Sequence, residues 1–259
     1  MKHGLIAAAA LLLLSNLFIT TNAFAHDDAS RVSFEREDQA SYQAGKIDLV
    51  FQMIDLKNKI VLTDNDLMLM HEKKLHFFAY DPALKEFRHE HPTFQADSMW
   101  HVTTNLSVTG DYWIWAQGMI ASDGVEFAAS ERLQVLNGTP ANPTPPILGD
   151  VRAATDGISK ATLSGERIIA KSMSMLMLDL TRTDGTQPII TPYLGETAHI
   201  IAVSDDADSL IHVHPMGSGG TQLMFHFIFP AAGNYRLWVQ FNDGGVLKTV
   251  PLSVAVFDQ

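Results

Sequence analysis

Residues 75–92, LHFFAYDPALKEFRHEHP, return at residues 198–215 as AHIIAVSDDADSLIHVHP. His76, His89, His91 and Pro92 coincide with His199, His212, His214 and Pro215 at identical spacing. The echo extends to GDYWIWAQ at 110–117 and GNYRLWVQ at 233–240, which share Gly, Tyr, Trp and Gln in one register. A chain that carries one module twice is constrained to fold as two like units or as one symmetric body. The two copies differ at most positions, so three histidines kept in both are candidates for a shared task.

The pattern around both copies is β. From Ser41 onward short apolar or alternating segments, such as KIDLVFQMIDL, DYWIWAQGMI, HIIAVS and NYRLWVQF, are separated by turn residues such as Asp64-Asn65, Asp81-Pro82 and Asp123-Gly124. No segment carries a helical stripe. Residues 137–150, NGTPANPTPPILGD, hold four of the eleven prolines and read as a semi-stiff linker. The expected architecture is all-β: two tandem immunoglobulin-like antiparallel β-sandwiches, at 41–136 and 151–259, behind a polar stretch at 26–40 that is a tail or a ragged first strand. The shared Tyr and Trp would fill each sandwich core or its corner. A single larger barrel is the alternative, and the proline-rich joint argues against it.

Residues 1–25 read as a cleaved signal peptide, with Lys2 near the start, an apolar run from Leu5 to Leu14 and the small-x-small site Ala23-Phe24-Ala25. That run is shorter than a membrane-spanning helix, so the expectation is a periplasmic or secreted protein with no membrane insertion after cleavage. The chain has no cysteine, which excludes disulfides, thiolate metal sites, blue-copper centres and cysteine nucleophiles. A formal charge of −11 argues against nucleic acid as a partner.

Strand geometry turns the histidine spacing into a site. If residues 76–80 and 87–91 are arms of a hairpin, His76 stands opposite His91 and Phe78 opposite His89. His89 and His91 then share a face with His76. The same register brings His199, His212 and His214 together. Three neutral imidazoles suit copper or zinc and suit calcium or magnesium poorly. Candidates for a fourth ligand are His101, His226 and Met216, and an N-terminal His26 could chelate copper through its α-amine and its ring. Met173, Met175 and Met177 alternate along KSMSMLMLDL; thioethers suit Cu(I), but beside Leu176 and Leu178 they read as core filling. Met68, Met70 and His71 form a smaller group of the same kind. The competing reading of the repeated histidines is structural, each ring bonding a backbone carbonyl.

The signal segment, the β pattern, L-H-x(12)-H-x-H-P and then G-x-Y-x-x-W-x-Q resemble exported bacterial proteins with immunoglobulin-like domains of the YtkA-like sort. The resemblance implies export, the sandwich fold and a role in metal handling. The second copy departs from the first with Ser204 in place of Asp81 and LIHVHP in place of FRHEHP. No phosphate loop, nucleophile elbow, dinucleotide fingerprint or zinc-protease helix is present, so an enzyme is the less favoured class. The expected function is binding or buffering of a transition metal, copper before zinc, at one three-histidine site per domain: His76, His89 and His91, and His199, His212 and His214. The alternative is a module that binds another envelope protein and whose histidines are structural.

Overall fold

The computed structural model describes residues 31–37, 41–140, 149–217 and 219–259, together with the backbone of 23–25. Residues 1–22 of the expected signal peptide, His26 and residues 141–148 of the expected linker lie outside the described residues. Among the described residues there is no α-helix, only a short 3-10 turn at Asp64–Asp66. None of the described helical structure is long and apolar enough to cross a membrane.

Four sheets make two β-sandwiches. In the first, Ser41–Gln43, Glu126–Leu136, Val108–Met119, Leu75–Tyr80 and Phe87–Glu90 form one sheet in that order. Its partner sheet runs Val32–Arg36, Gly45–Asp55, Trp100–Leu106 and Thr93–Phe94. The second sandwich repeats the plan. Ser209–Val213, His199–Ser204, Gly233–Asp243 and Val246–Phe257 are successive neighbours in one sheet, facing Ala153–Asp156, Ser159–Gly165, Met173–Arg182 and Gln222–Ile228. Gly45–Asp55 illustrates why such segments become strands: Ile47, Leu49, Phe51 and Met53 turn inward while Lys46 and Asp48 face water.

The shared motif residues have shared backbone roles. Gly110 and Gly233 sit at φ 151° and 145°, a region that strains any L side chain. Tyr112 and Tyr235 reach into their own cores, and each hydroxyl bonds the backbone four residues upstream, at Val108 N (3.1 Å) and Ala231 O (3.0 Å). This is a tyrosine-corner arrangement.

Several sequence expectations are corrected. Of the two readings of residues 26–40, tail or ragged first strand, Val32–Arg36 takes the second: it pairs with Gly45–Asp55, because Val32 and Phe34 alternate into the core. Ala23–Ala25 pairs with Ser209–Ile211 at a sheet edge. Thr139–Pro140, in the expected linker, pairs in parallel with Val108–Thr109. Met173, Met175 and Met177 are not core filling: Leu176, Leu178 and Leu180 take the buried face and the methionines point outward. Trp115 and Trp238 belong to neither sandwich core, and where they go defines the molecule.

Leu75–Tyr80 and His199–Ser204 are buried along their whole length, the pattern of a strand covered on both faces. One face feeds the sandwich core, through Leu75, Phe77 and Ala79 in the first copy and Ile200 and Ala202 in the second. The other face meets the opposite sandwich. Phe78, Tyr80, Phe87, Trp113 and Trp115 form one cluster with Ile201, Val203, Leu210 and Trp238. Phe87 stacks on Trp238 with centroids 4.4 Å apart, and the Tyr80 hydroxyl donates to Ala207 O at 3.0 Å while accepting from Trp115 Nε1 at 2.8 Å. The two halves therefore meet through the sheets that carry the histidines.

Candidate metal centre

The hairpin register agrees with the spacing argument. Phe78 pairs with His89 and Phe77 with Glu90, while Ile201 pairs with His212 and Ile200 with Val213. His91 and His214 follow their strands by one residue and complete each set. In the first triad the ring centroids of His76, His89 and His91 lie 5.4, 5.1 and 4.8 Å apart. In the second, His199, His212 and His214 lie 5.5, 4.6 and 4.5 Å apart. In each triad one nitrogen per ring falls within 4.8 Å of the others, a group that could hold a metal ion.

Outer hydrogen bonds fix which nitrogen faces inward. His76 Nε2 lies 3.0 Å from Met70 O, an acceptor only, so it carries the proton and leaves Nδ1 bare. His89 Nδ1 donates to Gln240 Oε1 at 2.8 Å, leaving Nε2 bare. The Gln240 Nε2 donates in turn to Thr249 Oγ1 at 3.2 Å. The two bare nitrogens, His76 Nδ1 and His89 Nε2, stand 3.1 Å apart with no proton assigned between them. His91 Nε2 is buried and has no hydrogen-bond partner.

The second triad repeats each element. His199 Nε2 donates to Tyr193 O at 2.8 Å, and His212 Nδ1 donates to Gln117 Oε1 at 3.0 Å. His199 Nδ1 faces His212 Nε2 at 3.3 Å, and His214 Nε2 is buried without a partner.

Electrostatics keeps all six rings neutral. Burial, reinforced by neighbouring imidazoles, lowers His76 to about 4 and His91 and His199 to about 3. His89, His212 and His214 are pushed well below the ordinary histidine value for the same reason. An added proton bridging two rings, which would make the pair cationic, is thus disfavoured. Lone pairs converging on one point are what a cation satisfies.

The triads also touch each other. His76 lies 5.4 Å from His212, and His89 lies 5.6 Å from His212 and 6.0 Å from His199, with Phe78 packed against both His89 and His212. The two glutamines cross the interface: Gln117 neighbours His76 on its own sheet but bonds His212, and Gln240 neighbours His199 but bonds His89.

The surroundings differ. His71 belongs to the first sandwich, on a turn whose φ is positive at His71 and Glu72, and its ring lies 3.5 Å from that of His214. The equivalent turn of the second copy carries Leu194 and Gly195, and it presents a phenol rather than an imidazole to the first triad: the Tyr193 ring lies 6.3 Å from that of His89. Instead His91 helps to line a cleft of about 430 Å³ with Asp48, Glu90 and His101.

The other candidate ligands belong to neither triad. His101 lines the cleft beside His91 but its Nε2 is engaged by Asp97 Oδ2 at 2.7 Å, His226 stands opposite Met175 on the outer face of the other sheet, and Met216 is exposed. Sequence reasoning grouped His71 only with Met68 and Met70 and gave no role to Gln117 or Gln240. The glutamines' signal was their place in the repeated motif, and His71 has no counterpart to mark it.

A family model described as a domain of unknown function, DUF8832, matches residues 153–257, the span holding His199, His212, His214 and Gln240. No curated protein matches the chain. Among solved structures, it is similar to the Escherichia coli adhesin FdeC, at 14% identity and a TM-score of 0.27, covering 88% of this chain and 64% of that one. It is also similar to the fibronectin(III)-like modules of Clostridium thermocellum CbhA, at 12% identity and a TM-score of 0.24, covering 88% and 94%. The chain thus spans less than two thirds of the adhesin chain.

Proposed function

We propose that this is an exported copper-binding protein that holds one ion in each triad, through His76 Nδ1, His89 Nε2 and His91 Nε2 and through His199 Nδ1, His212 Nε2 and His214 Nε2. The observation that carries this reading is the bare, inward-facing nitrogens, 3.1 Å apart in one triad and 3.3 Å in the other, each fixed by a hydrogen bond on the far side of its ring. A purely structural histidine pair would place a proton between those atoms. The repeated carbonyl and glutamine partners supply the outer shell that sets tautomer and ring direction in histidine metal sites.

Copper is favoured over zinc by two arguments. Imidazole sites follow the general affinity order that places copper above zinc. Neither triad includes a carboxylate, so a bound ion keeps its full charge in a buried site. The cost of burying an ion rises with the square of its charge, which favours a metal with a monovalent state. The N-terminal signal pattern supports export, and the two binding domains are residues 41–136 together with the strand Val32–Arg36, and residues 151–259. With no general base identified at the triads, sequestration or delivery of the metal is the activity that remains.

Metal analysis of the full chain tests the reading. Two tightly held equivalents of Cu(I) are expected against equimolar Zn(II), with one lost in His89→Ala and one in His212→Ala. If both variants keep two equivalents and only unfold sooner, the histidines are structural and the reading fails.

A further inference from the structure

The second sandwich carries soft donor atoms that the triads do not use. On Met173–Arg182 the leucines at 176, 178 and 180 are buried, while Met173, Met175 and Met177 are 64%, 61% and 38% exposed. Along an outward face, positions alternating with buried leucines are normally polar; three thioethers there contribute nothing to the core. The neighbouring strand Gln222–Ile228 places His226 opposite Met175 and Met224 opposite Met177. Directly opposed residues have Cβ atoms about 4.5–5.5 Å apart, and Met175 and Met177 are about 7 Å apart along the strand. Long, flexible methionine side chains can close that distance above the sheet.

The matching face of the first sandwich has no such set: Asp48 and Val50 stand there opposite Thr103 and His101. Met216, also exposed, donates its backbone N–H to Met224 O at 2.7 Å and follows His214 by two residues. The outer face is thereby joined through one short segment to the second triad.

We propose that Met175, Met177, Met224 and His226 form a second class of site, a surface site for a soft monovalent cation, Cu(I), with Met216 beside it on the segment that leads to His214. Thioether donors with one imidazole select Cu(I) over Cu(II) and zinc. The site is shallow and exposed, so it exchanges its ion readily, as an acquisition point requires. It stands independently of the triads, because it shares no ligand with them.

The test uses the full chain with Cu(I) under chelator competition and Ag(I) as a redox-inert probe. In His89→Ala/His212→Ala, one weaker Cu(I) equivalent is expected to remain, and Zn(II) is not expected to displace it. Adding Met175→Leu and Met177→Leu should abolish that equivalent and leave the melting temperature unchanged, since both side chains are exposed and leucine keeps their volume. In the unaltered chain, Ag(I) should shift the methyl resonances of Met175, Met177 and Met224 while the buried Met53 stays still. A retained equivalent in the leucine variant, or surface methyl signals that do not move with Ag(I), overturns the proposal whether or not the triads bind metal.

Discussion

His89 of the first sandwich donates its Nδ1 proton to Gln240 of the second at 2.8 Å, and His212 of the second donates to Gln117 of the first at 3.0 Å. Each half of the molecule therefore sets the tautomer of a ring in the other half. Each triad is built within its own sandwich, but its outer shell is completed only when the sandwiches dock.

Removing the acceptor should be felt at the neighbour's site. Gln240→Leu leaves a buried N–H unpaired and frees the His89 ring, so the first triad should bind metal about 10–100-fold more weakly while the second is unchanged. Gln240→Glu keeps an acceptor and should restore most of the affinity. Competition titration resolving the two sites checks this; equal loss at both would contradict it.

Acid should unfold the metal-free chain. The folded state holds the rings neutral down to about 4 for His76 and about 3 for His91 and His199, whereas an unfolded chain protonates histidine near 6.5. The unfolded state thus takes up protons that the folded state refuses. Stability from these groups is complete above about pH 6.5 and is lost as pH falls toward 4 and 3, at up to about 1.4 kcal/mol per pH unit for each ring. Denaturant midpoints at pH 7.5 and 5 should differ clearly, with the more acidic value lower.

Much of this was legible in the sequence, and its limits are physical. Alternation within a strand fixes which side chains share a face, so the register that joins His76, His89 and His91 could be deduced from spacing alone. Spacing carries no information on which outer faces of two sandwiches meet. The burial of both faces of LHFFAY and HIIAVS was present as unbroken apolar runs, but such runs also describe ordinary core strands. The sequence pattern assigns Trp115 and Trp238 to each sandwich core or its corner, whereas they pack between the sandwiches. The methionines were misplaced because a thioether is apolar enough to pass for core; only the leucine alternation, Leu176, Leu178 and Leu180, decides the face.

The interface should be necessary for both triads. Trp238→Ala removes the ring stacked on Phe87 and should cost about 3–5 kcal/mol. Because the glutamine bonds cross that interface, metal affinity should fall at both sites together. Calorimetry should show one unfolding transition in the unaltered chain separating toward two in the variant.

His71 should matter to one site only. Its ring lies against His214, whereas the corresponding turn gives the first triad only the Tyr193 phenol, 6.3 Å from His89, so His71→Ala should weaken the second site and spare the first. Leu194→His, which places a ring on the corresponding turn, tests the same asymmetry from the other side by strengthening the first.

Anomalous diffraction from crystals of the full chain loaded with copper addresses the central claim most directly. The account predicts one copper peak inside each triad, about 2.0 Å from His76 Nδ1, His89 Nε2 and His91 Nε2 in the first and from His199 Nδ1, His212 Nε2 and His214 Nε2 in the second. Copper found only elsewhere, with the six rings bonded to one another and to carbonyls around an empty centre, would contradict it.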